Sequence, residues 1–183
     1  MVWRERWAPP VVDDVQAASA RDVPRLVWWQ LVGFAYGARH GQPRSRFISG
    51  GSLFWAALFS PVLLGVQLGQ VLSRNTHWYA TADAALALSR SRKGWTLHSH
   101  MSARPGSGAG QLLREVVMPA VLERADREHV TIYGAAADAR LAGIYCAEIP
   151  GMRVTGKALL RGVRLRRDPA GVEVSPESSA RRS

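Results

Sequence analysis

Between an extended segment ending at Ser102 and a helix-forming run opening at Gln111 lies Arg104-Pro-Gly-Ser-Gly-Ala-Gly110. This turn constrains the chain more than any other feature. Three alternate glycines entering a helix let the backbone approach a ligand closely and aim several free N–H groups at one point, which suits a pyrophosphate. Chemistry is therefore expected between Trp95 and Gly151.

The size and composition fit that expectation without narrowing it. A chain of 183 residues with 47% hydrophobic content can bury one sizeable core, so one main domain is expected. Lys+Arg 24 against Asp+Glu 14 gives a formal charge of +10, which favours anionic partners such as nucleotide cofactors or acidic lipid. It does not by itself argue for nucleic acid, because no aromatic-basic interleaving or known binding motif accompanies it. The single cysteine, Cys146, cannot form an internal disulfide, and no Cys/His cluster has structural-zinc spacing, so no metal is expected. The N-terminal Met-Val-Trp-Arg-Glu-Arg-Trp-Ala-Pro-Pro lacks the apolar core of a signal peptide, and a cytoplasmic location is expected.

Periodicity divides the chain into residues 1–75, 76–166 and a polar tail, 167–183, expected to be disordered. In the first part, residues up to Arg21 form an irregular arm or a weak strand and helix, and Leu26 to Tyr36 is apolar on nearly all sides. Residues 37–46 then read as a basic loop. Leu53 to Leu72 carries no charge and is long enough to cross a bilayer, yet Pro61, Gln67 and Gln70 weaken its hydropathy. Arg39, Arg44 and Arg46 ahead of it would also place the C-terminal half outside the cell. A span, a membrane-surface anchor, and a buried helix pair or homodimer face all remain open.

In the second part, His77–Ser89 and Trp95–Ala103 flank the basic turn Arg90-Ser-Arg-Lys-Gly94 and suggest a β-hairpin. Gln111 to His129 is helical by its apolar spacing, with Pro119 expected to kink it. Val130–Tyr133 is a short strand, and Asp138 caps a helix whose inner face holds Leu141, Ile144 and Tyr145. One or two strands close the domain between Met152 and Arg164.

This order, with two motifs, resembles the acetyl-CoA-binding half of the GNAT N-acetyltransferase superfamily over about residues 95–164, as a divergent member. Pro105-Gly-Ser-Gly-Ala-Gly110 followed by Gln-Leu-Leu is similar to the family's Arg/Gln-x-x-Gly-x-Gly/Ala loop. Ala137-Asp-Ala-Arg-Leu-Ala-Gly-Ile-Tyr145, then Pro150-Gly-Met152, is similar to its Asn-x-x-Ala-x-x-x-Tyr and Gly-Phe. Pro105 stands at the Arg/Gln position with Arg104 one residue earlier, and Asp138 replaces the frequent Asn. The resemblance implies an α/β (α+β) fold with a mixed, mostly antiparallel central sheet and helices on both faces, here joined to an apolar N-terminal helical region.

The function implied is an N-acyltransferase moving the acetyl group of acetyl-CoA directly to an amine. The N–H groups of Gly106, Ser107, Gly108, Ala109 and Gly110, at the start of the Gln111 helix, would hold the pyrophosphate, with Arg104 or Arg114 adding positive potential. By resemblance, the strand before the loop splays from its neighbour and pairs with the pantetheine arm, a role that falls to His100, Met101 and Ser102. Asp138 takes the position of the cofactor-contacting Asn, and Tyr145 that of the general acid for the departing thiolate. An amine needs a base before attack, and His98 and His100, two apart on one strand, would face the same side as candidates. Glu148, one helical turn beyond Tyr145, is a further candidate. The rival is a noncatalytic, membrane-associated or scaffold protein on the same fold.

Overall fold

The computed structural model describes residues 7, 9–40, 60–158 and 162–171. Among them, a two-residue strand, β1 (Gln16–Ala17), precedes helix α1 (Val23–His40). Asp22 fixes the start of α1: its carboxylate accepts from the Ser19 backbone N–H at 2.8 Å and pairs with Arg25 at 2.8 Å. Pro24 falls in the first turn, where its missing N–H costs no intrahelical bond. Helix α2 follows (Ser60–Leu72), then strands β2 (Thr76–Ala80), β3 (Ala84–Ser91) and β4 (Gly94–Ser102), helix α3 (Ala109–Arg127) and strand β5 (Ile132–Ala136). Helix α4 (Ala139–Glu148) and strands β6 (Arg153–Lys157) and β7 (Val163–Arg167) complete the order.

The strands form one sheet in the order β1-β2-β3-β4-β5-β7-β6, in which only β4 and β5 run parallel. The mixed, mostly antiparallel sheet expected from sequence is thus present. Both faces are covered. On one, Leu113, Val117 and Val121 of α3 stand at i, i+4 and i+8 and pack with Leu86, Leu88, Trp95 and Ile132. Each such side chain contributes about 1.5–3 kcal/mol by leaving water. On the other face, Leu26 and Trp29 of α1 pack with Trp78, Ala85, Ala87 and Met101.

Several local expectations change. The run His77–Ser89 is two strands, because residues 81–83 form a turn in which Thr81 Oγ1 accepts from Ala84 N–H at 3.2 Å. The turn has no Gly or Pro, and Asp83 is its one strong turn former. On α4, Ala142 is buried and Ile144 is 37% exposed, so Ile144 is not part of the inner face. Of the Leu53–Leu72 run, residues 53–59 lie outside the described residues, and the rest is the 13-residue α2. No helix among the described residues is long and apolar enough to cross a membrane. Helix α2 is also turned against its hydropathy: Gln67 is buried while Val62, Val66 and Leu72 are exposed. There Gln67 Nε2 donates to Gln30 Oε1 of α1 at 2.7 Å, while Gln67 Oε1 is buried without a partner among the described residues.

Candidate active site

The site forms where β4 loses its parallel partner. Strands β4 and β5 pair only from Trp95 to Leu97, opposite Ile132 to Gly134, and from His98 onward β4 keeps β3 alone. Just beyond that point β4 carries a bulge: Ala87 pairs with His98 and Ala85 with Met101, so Leu86 faces both Ser99 and His100. The extra residue is accommodated by Ser99 at φ 52°.

The bulge separates the two histidines that strand alternation would put together. His98 joins the α1 face, with Trp78 edge-on at 6.4 Å between ring centroids. His100 joins the α3–α4 face, where its Nε2 is 3.1 Å from the Gly110 carbonyl. A carbonyl only accepts, so Nε2 carries the proton and Nδ1 the lone pair. Toward Nδ1 point the Arg114 guanidinium at 2.9 Å and the Tyr145 hydroxyl at 3.2 Å. Burial and then the Arg114 charge lower the His100 pKa to about 4, so its ring is neutral. Burial also lowers His98 from the ordinary histidine value.

Arg114 and Glu148 complete this polar floor. Their ion pair measures 2.6 Å, with side chains 8% and 19% exposed, and the guanidinium lies over the Tyr145 ring at 5.0 Å. Arg114 is therefore committed to Glu148 and His100 rather than to a phosphate, and the Glu148 carboxylate is held by a cation rather than free. Nδ1 of His100 has one lone pair and two donors competing for it. Arg114 Nη1 stands 2.9 Å from Nδ1 and 3.1 Å from Nε2, and its charge makes it the stronger donor of the two. Burial raises the Tyr145 pKa, so the phenol keeps that proton at neutral pH. A cavity of about 380 Å³ opens beside the pair, with Met118, Leu122 and Ile149 among its apolar lining.

The glycine turn leads from this floor into α3. Gly106 and Gly108 have φ of 87° and 83°, the left-handed region where side chains are strained. Gly110 is glycine for space, since a Cβ there would collide with the His100 ring. Of the predicted N–H groups, Ser107 donates to the Arg104 carbonyl at 3.1 Å and Ala109 to Ser107 Oγ at 3.4 Å. Those of Gly106, Gly108, Gly110 and Gln111 meet no acceptor among the described residues. They converge on a helix N-terminus, and this is an arrangement that fits a pyrophosphate.

The remaining predicted residues have other partners. Met101 is buried beneath α1, and Ser102 Oγ accepts from Arg104 N–H at 3.2 Å. The Arg104 side chain is exposed beside Asp83, at 3.5 Å. Gln111 Nε2 donates to Glu115 at 2.9 Å. Asp138 caps α4 by accepting from Leu141 N–H at 2.8 Å, so one carboxylate oxygen is committed to the helix. Sequence reasoning missed Tyr36: a Cβ on Gly106 would come within 2.9 Å of its hydroxyl, so α1 reaches the glycine turn. An aromatic in an all-round apolar helix gave no signal of this.

No protein-family model matches the sequence, and no curated protein matches it. Solved structures do match in shape. An acyl-CoA N-acyltransferase from Pseudomonas aeruginosa is 16% identical and aligns over 84% of this chain and 99% of its own, with a TM-score of 0.52. PaiA N-acetyltransferase from Thermoplasma acidophilum, in complex with coenzyme A, is 7% identical over 84% and 97%, with a TM-score of 0.58. An acetyltransferase from Corynebacterium glutamicum, described as histone acetyltransferase HPA2 and related acetyltransferase, is 16% identical over 87% and 98%, at 0.56. With its one parallel pair splayed beyond Leu97 and a glycine turn feeding α3, this chain has the fold of the GNAT N-acetyltransferases.

Proposed function

We propose that the protein is an acyl-CoA-dependent N-acyltransferase that uses acetyl-CoA and transfers the acetyl group directly to an amine. The observation that carries this is the set of N–H groups at Gly106, Gly108, Gly110 and Gln111 that meet no acceptor among the described residues, placed at a helix N-terminus beside the opened β4 edge. These groups hold the pyrophosphate, and the β4 edge from His98 to Ser102 takes the pantetheine arm. The donor supplies an activated thioester carbonyl and a thiolate leaving group. Tyr145 delivers its proton to that thiolate, since Arg114 already satisfies His100. His98 is the base, because both its ring nitrogens face hydroxyls. His100 does not fill that role, because its Nδ1 lone pair is occupied by a cation.

A second reading has its own observation. The exposed Val62, Val66 and Leu72 on α2 suit a membrane-surface contact by a noncatalytic protein of the same fold. A peripheral association of that kind, assisted by the basic charge, is released from membranes by high salt.

Isothermal titration of acetyl-CoA and CoA into the purified chain tests the first reading, with Gly108→Arg as control. Gly108 has open space around its Cβ position and φ of 83°, so arginine there strains the turn and fills the anion site. Micromolar binding that the variant loses supports the reading. A well-folded wild type that binds neither ligand refutes it.

A further inference from the structure

We propose that Ser99, His98, Ser89 and Thr76 form a proton relay that carries the proton lost by the acceptor amine from the β4 bulge to solvent. The proposal rests on the transferase reading above. The four side chains make an unbroken chain across three strands on the α1 face. Ser99 Oγ is 2.9 Å from His98 Nδ1, His98 Nε2 is 2.6 Å from Ser89 Oγ, and Ser89 Oγ is 2.8 Å from Thr76 Oγ1. One end is the bulge, two residues past the last β4–β5 pair; the other is partly exposed Thr76, next to exposed Asn75.

Partner chemistry distinguishes this histidine from its neighbour. His100 is fixed by a carbonyl that only accepts and a guanidinium that only donates, so one tautomer is locked. His98 meets a hydroxyl on each side, and a hydroxyl both donates and accepts, so either tautomer is satisfied and a proton can enter at one nitrogen while another leaves from the second. Ser99 adds an independent mark. It keeps a side chain at φ 52°, where glycine would be unstrained, and the hydroxyl it presents there is the end of the chain.

The protons balance. The amine nitrogen gives its proton to Ser99 Oγ as the Ser99 proton passes to Nδ1 of His98. The Nε2 proton passes to Ser89, that of Ser89 to Thr76, and that of Thr76 to water. Each hydroxyl gains one proton and loses one, and exchange with water restores the starting tautomer between turnovers. Burial lowers the His98 pKa, so the ring is neutral near pH 7. Around this face α2 carries no charged residue, and α1 brings Tyr36, Arg39 and an Arg25 that is paired with Asp22. On the strands, His77 lies against Tyr79 and His100 lies on the opposite face.

Nitrogen-15 NMR of the imidazole rings in the ligand-free chain gives a test that does not depend on turnover. His98 is expected to populate both tautomers and His100 only the Nε2–H form. A single fixed tautomer at His98 overturns the relay. The kinetic arm follows CoA release from acetyl-CoA with methoxyamine, a weakly basic nitrogen acceptor, between about pH 5 and 8. Ser99→Gly, which suits the positive φ, and Ser89→Ala are each expected to lower kcat/KM about 10- to 100-fold and to flatten its rise with pH, and Ser89→Ala, away from the β4 edge, to leave acetyl-CoA affinity unchanged. Variants that stay within about twofold of wild type and keep the same pH limb refute the relay alone. A wild type that neither binds acetyl-CoA nor releases CoA refutes the transferase reading and the relay with it.

Discussion

Replacing Glu148 by Gln tests the polar floor, because it removes one charge from a pair whose members are 8% and 19% exposed and 2.6 Å apart. A guanidinium cannot shed its proton, so Arg114 would remain charged with only neutral partners. Breaking a fully buried pair from one side costs about 3–5 kcal/mol. The guanidinium keeps two contacts, His100 Nδ1 at 2.9 Å and the Tyr145 ring at 5.0 Å, and water reaches position 148. These reduce the expected cost to about 2 kcal/mol, or about 4–8 °C in Tm for a chain of this size. Arg114→Met should cost less, about 1 kcal/mol, since a partly exposed carboxylate can be hydrated and the methionine fills the space of the arginine stem. The double variant should be no worse than Glu148→Gln alone. Urea unfolding of the three variants measures all of this. A Glu148→Gln cost under about 0.5 kcal/mol, or an Arg114→Met cost larger than it, refutes the reasoning.

Three other outcomes follow from the same geometry. Gly110→Ala should lower acetyl-CoA affinity at least about tenfold by driving its methyl into the His100 ring, and adding His100→Ala should restore much of it; titration calorimetry on the single and double variants decides. Tyr145→Phe should lower kcat about 100-fold with little change in KM or Tm, because Arg114 still satisfies His100; an unchanged rate of CoA release excludes Tyr145 as the acid. His100 has a folded pKa near 4 and takes up a proton near 6.5 when unfolded, so its contribution to stability is complete above pH 6.5 and lost as pH falls toward 4. His100→Asn should flatten the decline in urea stability over that window, and an unaltered slope contradicts a buried neutral ring.

What could be read in the sequence was local. The glycine turn, the α3 spacing of Leu113, Val117 and Val121, and the Asp138 cap of α4 all depend on residues within a turn or two of each other, and each stands where expected. The turn at residues 81–83 was missed because Asp83 is its lone strong turn former, set among alanines that suit helix as well as strand. The Arg114–Glu148 pair joins residues 34 positions apart, and in sequence Arg114 reads as a charge for the pyrophosphate and Glu148 as a candidate base, with nothing to mark them as partners. Helix α2 misled because hydropathy assigns its leucines and valines to the interior, while the structure buries Gln67 against Gln30 of α1 and leaves Val62, Val66 and Leu72 exposed.

The two histidines show why the candidate site resisted sequence reading more than the fold did. Strand period two places residues 98 and 100 on one face, and that rule fails by one residue where Leu86 faces both Ser99 and His100. Nothing in His-Ser-His marks a bulge, because the residue absorbing it is a serine at φ 52° rather than a glycine. That single insertion sends one imidazole to a carbonyl and a guanidinium and the other to two hydroxyls. The first arrangement fixes one tautomer between Gly110 and Arg114, whereas the second satisfies either tautomer. Deleting Ser99 would return β4 to regular alternation and force both rings onto one face. His100 or His98 would then lose its partners, so the two sets of contacts cannot both survive without the bulge.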